Sequence, residues 1–205
     1  MGEAKRKKVD MAPLEDAVGK VGSALRRLAT AASGSFGSDC FMHAEMGRLA
    51  LEELGFKAVR KSGFAAWRLG AGDGDVISHT EEALSYLPPG TEGLPYHTWL
   101  EVSGYIVDFT TYQLRHKAEE LDAADGGHTN VDWCPDVLII NKHHVMTYRQ
   151  VAQAATPPAV YYEARSNLDD YLASKYTIDP QDYVALRILM FNQSMQVMGP
   201  NDIES

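Results

Sequence analysis

His97-Thr98-Trp99-Leu100-Glu101-Val102-Ser103-Gly104-Tyr105-Ile106-Val107-Asp108-Phe109-Thr110 reads as two β-strands around the two-residue turn Ser103-Gly104. Both runs are rich in β-branched and aromatic residues, which suit a half-buried pleated surface. A two-residue turn pairs Val102 with Tyr105 and sets every partner upstream, so that His97 opposes Thr110 and Trp99 opposes Asp108. Alternation then puts His97, Trp99, Glu101, Ile106, Asp108 and Thr110 on one face. His97 and Asp108 become diagonal neighbours roughly 7 to 8 Å apart at the backbone, within reach of an imidazole–carboxylate hydrogen bond. One extra residue in the turn would break that relationship.

Upstream, the run from Cys40 to Leu54 reads as a helix with apolar Phe41, Ala44, Leu51 and Leu54, closed by Gly55. Ser38 or Asp39 stands at its N-cap, and Cys40 falls in its first turn. A thiol is a strong nucleophile as the thiolate, a form that a helix N-terminus and a nearby imidazolium both favour. Cys40, His97 and Asp108 are therefore a candidate nucleophile, base and orienting carboxylate. Backbone N–H groups at the start of the same helix can hold an oxyanion on an attacked carbonyl.

Around this nucleus the chain reads as mixed. Leu14, Val18, Val21, Leu25 and Leu28 recur at helical spacing, after a solvated tail over residues 1–12. The run over 56–60 and the run over 64–69 are strand candidates, and 70–75 is a glycine- and aspartate-rich loop. Pro88-Pro89-Gly90 interrupts the chain, residues 111–130 form a helix or loop excursion, and 137–148 reads as a strand holding His143 and His144. Residues 163–175 and 180–195 read as closing helices. In the last of these, Leu186, Ile188, Leu189, Met190, Phe191 and Met195, with Met198 beyond, predict a largely buried face. The expectation is one α+β domain over 13–205.

The 205 residues carry 45% hydrophobic and 23% charged side chains, as globular chains do, with a net charge of -9. That charge excludes a general nucleic-acid binder, which needs a basic surface. No apolar run follows the basic opening residues 5–8 and none is long enough for a bilayer, so a cytoplasmic protein without a membrane partner is expected. Gly2 is followed by Arg6 where a myristoylation signal has Ser or Thr. With only two cysteines, Cys40 and Cys134, outside any CxxC pair, a disulfide framework is not expected.

From about Gly37 to Thr110 the chain resembles the transglutaminase-like branch of the papain-fold cysteine enzymes. Gly37-Ser38-Asp39-Cys40 with the following Ala44, then Leu54-Gly55-Phe56-Lys57-Ala58, is similar to the family's Gly-x-x-Cys helix running into a Leu-Gly-hydrophobic-x-Ala strand. His97-Thr98-Trp99-Leu100-Glu101-Val102 resembles its His-x-Trp-hydrophobic-Glu-Val strand, and Ile106-Val107-Asp108-Phe109-Thr110 its hydrophobic-x-Asp-x-Thr strand. The resemblance implies a papain-like α+β fold, with N-terminal helices and the nucleophile helix packed on an antiparallel sheet. It implies Cys40 as nucleophile, His97 as base and Asp108 as third member. The chemistry implied is acyl transfer from a peptide, amide, isopeptide or ester to water or an amine through a thioester, without cofactor. Residues 34–39 hold no Gln of the kind papain places before its Cys. The zinc-binding CxxC pairs of the glycanase relatives and the Arg-Gly-Gly approach of arylamine acetyltransferases are also absent.

Trp99, His43 and Tyr96 are assigned to the substrate cleft, Trp99 as a wall beside the imidazole. For His43, one helical turn beyond Cys40, packing on an aromatic ring is the preferred role. A metal site of Cys40, His43, His97 and Asp108 fits no compact ligand spacing. His143 and His144 point to opposite sides of a strand, one packed and one solvated. Cys134 reads as structural, and the loop over 70–75 as a plain turn rather than a calcium loop. A cysteine commonly packs as a small buried hydrophobe. Two function classes thus stand: a cysteine hydrolase or acyltransferase, and an inactive papain-fold module that binds a ligand or protein.

Overall fold

The computed structural model describes residues 11–32, 39–81 and 95–202. Residues 1–10 of the expected tail, Gly37-Ser38 and the Pro88-Pro89-Gly90 break lie outside the described residues, whereas Ala12, expected in the tail, begins the first helix. The chain is α+β, with helices packed on a curled antiparallel sheet. Helices α1 (Ala12–Ala32) and α2 (Cys40–Glu53) lead into β1 (Ala58–Arg68) and β2 (Val76–His79), then the hairpin β3 (His97–Val102) and β4 (Tyr105–Asp108). There follow α3 (Leu114–Asp125), β5 (Leu138–Asn141), α4 (Tyr148–Gln153), β6 (Ala159–Ala164), α5 (Ser166–Lys175) and α6 (Pro180–Phe191).

The two strand candidates over 56–69 are one strand, β1, and it organises the sheet. Its first half pairs with β3, from Ala58↔Val102 to Gly63↔His97, and its second half with β2, from Ala65↔His79 to Arg68↔Val76. β6 runs along the opposite edge, from Gly63↔Ala164 to Arg68↔Ala159. The β3–β4 hairpin has the register read from its turn, with Val102↔Tyr105 and Leu100↔Val107. Ser103 at φ 51° and Gly104 at φ 87° both lie in the left-handed region, the pair of conformations a type I′ turn requires.

Each sheet face has its own core. On one, Leu100, Val102, Val107 and Phe109 meet Val18, Val21 and Leu25 of α1, Ala50 and Leu51 of α2, and Leu186 and Leu189 of α6. On the other, Trp67, Trp99, Ile106 and Tyr162 meet Leu114 and Ala118 of α3. Gly47 lets α2 lie directly on Phe109, because a Cβ there would stand 2.3 Å from the ring.

Three expectations change. Residues 137–148 are not one strand: β5 ends at Asn141, whose side chain accepts from the His143 N–H and turns the chain into a single 3-10 turn. His143 and His144 are both exposed. Residues 159–164 are strand, so the helix expected from 163 starts at Ser166. α6 buries Leu186, Leu189 and Met190, yet Ile188 and Phe191 are 43% and 57% exposed, so it covers the core with one face only.

Candidate active site

Asp108 ends β4 and is fully buried, a position a carboxylate tolerates only when its oxygens are satisfied. Four donors converge on it. The Thr110 N–H and hydroxyl donate to Oδ1 at 2.9 and 2.8 Å, a local loop two residues downstream. The Tyr162 hydroxyl and the His97 Nε2–H each donate to Oδ2 at 2.7 Å. Trp67 Nε1–H in turn donates to the Tyr162 oxygen at 2.8 Å. Burial pushes the Asp108 carboxyl upward, but the His97 ring, the Thr110 amide and the Tyr162 hydroxyl outweigh it and hold the group below its ordinary value.

With Nε2 on Asp108, the ring nitrogen of His97 left for the thiol is Nδ1, and Cys40 and His97 line the same small cavity. Burial pulls His97 down, whereas the Asp108 carboxylate and the Cys40 sulfur raise it, and the balance lies at about 10. The Asp108 carboxylate thus favours the imidazolium form of His97.

Register explains the rest of the surroundings. Lys61, Gly63 and Ala65 of β1 share one face and are opposite Trp99, His97 and His79, so these rings follow one another along one edge. His97 is parallel to His79 at 5.9 Å and 16°, and to Trp99 at 6.4 Å and 13°. Trp67, from the same face of β1, sets its edge on His97 at 4.7 Å. A carboxylate below, aromatic rings on three sides and a thiol in front leave the imidazole one orientation.

Asp39 precedes α2 without capping its N–H groups. Its carboxylate instead accepts from Gln113 Nε2 at 3.1 Å and pairs with His43 Nδ1 at 3.3 Å. His43 also meets the Tyr112 hydroxyl at 3.1 Å through Nε2. It is buried, packs on the Tyr112 ring and is not among the residues lining the thiol's cavity, which is the packing role.

A cavity of about 20 Å³ opens on Cys40 and His97 and is walled by Trp67, His79, Thr111 and Lys117 among others. Trp99 and Tyr96 do not line it. Trp99 is 1% exposed and serves as backing to the imidazole. Tyr96 lies in a separate concavity of about 460 Å³ with Tyr171 and Tyr176. Burial, then the Cys40 charge and a hydrogen bond with Tyr176, raise its phenol. A groove of about 900 Å³ between α1 and residues 193–198 is larger but shares no residue with the triad.

Among the described residues no three His, Cys, Asp or Glu side chains are placed to hold a metal ion. Cys134 donates to the Thr111 carbonyl at 3.3 Å and ties two distant segments together, and Asp75 accepts from the Gly72 and Asn130 N–H groups at 2.7 and 2.8 Å, closing its own turn and pinning it to Asn130. No helix of the described residues is long and apolar enough to cross a membrane.

Sequence reasoning reached Cys40, His97, Asp108 and Thr110 but not Tyr162, Trp67 or His79. Only the pairing of β1 with β3, β2 and β6 brings those three to His97, and no local pattern carries it. No family model matches the chain, and neither does any curated protein. A solved structure described only as a genomics target aligns with a TM-score of 0.60 at 13% identity, covering 93% of this chain and 82% of its own. That likeness concerns the fold alone.

Proposed function

We propose that the protein is a cysteine acyl-transfer enzyme of papain-like, transglutaminase-like architecture. The observation that carries this reading is the buried Asp108–His97 pair, with the Cys40 thiol at a helix N-terminus lining the same cavity as the His97 ring. The substrate is an amide, isopeptide or ester. The Cys40 sulfur bonds to the carbonyl carbon, and first-turn N–H groups of α2, which have no intrahelical partner, hold the oxyanion. The C–N or C–O bond then breaks as His97 protonates the leaving amine or alcohol. Water or an amine attacks the thioester and gives its proton to His97. The S–C bond breaks, and the thiolate returns to its place beside the imidazolium. Asp108 fixes the ring and stabilises the cation throughout. A cytoplasmic setting suits this chemistry, because both cysteines are unpaired and a reducing compartment keeps Cys40 a thiol.

The test is iodoacetamide alkylation of Cys40 across pH 5 to 9, in the wild type and His97→Ala, with mass spectrometry assigning the cysteine. A rate that stays high into the acid range, and drops to free-thiol behaviour in the variant, supports the reading. An inert Cys40, or the same free-thiol profile in both proteins, leaves a ligand- or protein-binding module.

A further inference from the structure

Several hydrogen-bond donors and no carboxylate line the cavity beside Cys40. Thr111, which lines it, is 1% exposed, and its hydroxyl has no partner among the described residues. His79 lines it too and hydrogen-bonds to none of the described residues, although its ring stacks on His97. Burial, the His97 cation and the Lys117 charge push His79 down to about 3, so it presents a neutral ring with one N–H. Lys117 brings a full positive charge to the same wall, with Glu120 on its own helix as ion-pair partner at 3.2 Å. No Asp or Glu lines the cavity, and Asp108 is sealed behind His97. In a chain of net charge -9 this is a local reversal of sign.

A buried hydroxyl without a partner, an imidazole without a partner and an ammonium around one small space are complementary to an anion rich in acceptors. The space of about 20 Å³ holds about one water-sized group, so only the tip of a ligand enters. We infer that the acyl donor carries a carboxylate: a short acyl group that puts one carboxylate oxygen into the space beside Thr111, His79 and Lys117 while its carbonyl stays at the mouth, facing Cys40. This deepens the acyl-transfer reading and rests on it.

Iodoacetate and iodoacetamide test the inference. They are nearly the same size and differ in charge, and with each the Cys40 sulfur bonds to the methylene carbon as iodide leaves. Rates at Cys40 are measured by mass spectrometry and referred to mercaptoethanol under the same conditions. The His97 cation also attracts iodoacetate, so the change on removing Lys117 is the decisive quantity. Lys117→Met is expected to lower the preference for iodoacetate about fivefold, while the iodoacetamide rate stays within about twofold. Lys117→Arg retains the preference, which separates loss of charge from loss of fold. Equal preferences in wild type and Lys117→Met overturn the carboxylate inference, even where rapid iodoacetamide reaction upholds the thiolate. A Cys40 slow toward both reagents removes the thiolate and, with it, the acyl donor.

Discussion

Asp108 shows what a buried charge requires. Without partners a carboxylate in the sheet interior would take up a proton, since desolvation penalises the ion. Two hydrogen bonds from Thr110 are nearly local, and two from His97 and Tyr162 come from other strands. The His97–Asp108 pair makes stability depend on pH in a definite direction. His97 is raised from 6.5 to about 10, so its contribution is complete below about pH 6.5 and is withdrawn as pH climbs through about 10. Asp108 is held below 3.8, so its contribution is complete above that value and is lost only in stronger acid. Denaturant midpoints of the wild type and His97→Gln should therefore differ most near pH 5 to 6.5 and converge toward pH 10. A gap that stays constant across this range would mean that His97 contributes packing without charge.

The α2 helix delivers the thiol, and its contact with the hairpin is closer than a side chain permits. Gly47 faces Phe109, which is 2% exposed and also lies against Gly22 of α1, so the ring has little room to retreat. Gly47→Ala improves helix propensity yet places a Cβ where the ring is, and overpacking of this kind costs about 1 to 3 kcal/mol. The displaced helix also moves Cys40 from His97. Denaturant melts should show the destabilisation, and iodoacetamide labelling of the same variant should be slower. A gain in stability, as propensity alone predicts, would show that α2 does not press on Phe109.

Across the molecule, one polar cluster ties α2, β1 and α5 together on the nucleophile's side. Arg60 of β1 donates to Glu45 of α2 at 2.6 Å and to Asp169 of α5 at 3.1 and 3.2 Å. Ser62 donates to Asp169 at 2.8 Å and meets the Thr98 hydroxyl at 3.0 Å. Burial works against the Glu45 carboxylate, but Arg48 and Arg60 keep it below its ordinary value. Asp169→Ala leaves the buried Ser62 hydroxyl with one partner fewer and Arg60 with Glu45 as its one carboxylate, beside the Phe41 ring. The expected cost is about 1 to 3 kcal/mol in denaturant melts at neutral pH. A loss below about 0.5 kcal/mol would place this cluster with ordinary surface ion pairs.

Local sequence decided the hairpin. A two-residue turn leaves one register, and a period of two leaves one face, so the diagonal approach of His97 to Asp108 was legible from residues 97–110. The position of Cys40 in the first turn of a helix was legible for the same reason, because Gly55 and the apolar spacing act within a few residues. Elsewhere local signals misled. The run after Leu138 has strand composition, but the Asn141 side chain turns it, and the apolar α6 meets the core with one face only. The joining of two short runs into β1 and the flanking of it by β2 and β6 depend on strands distant in sequence. With that pairing came His79, Trp67 and Tyr162 around the imidazole, and the packing of α2 that brings the thiol to His97. Such contacts follow from how faces of comparable apolarity choose among partners, a choice made by the summed burial of the whole core rather than by any segment read alone.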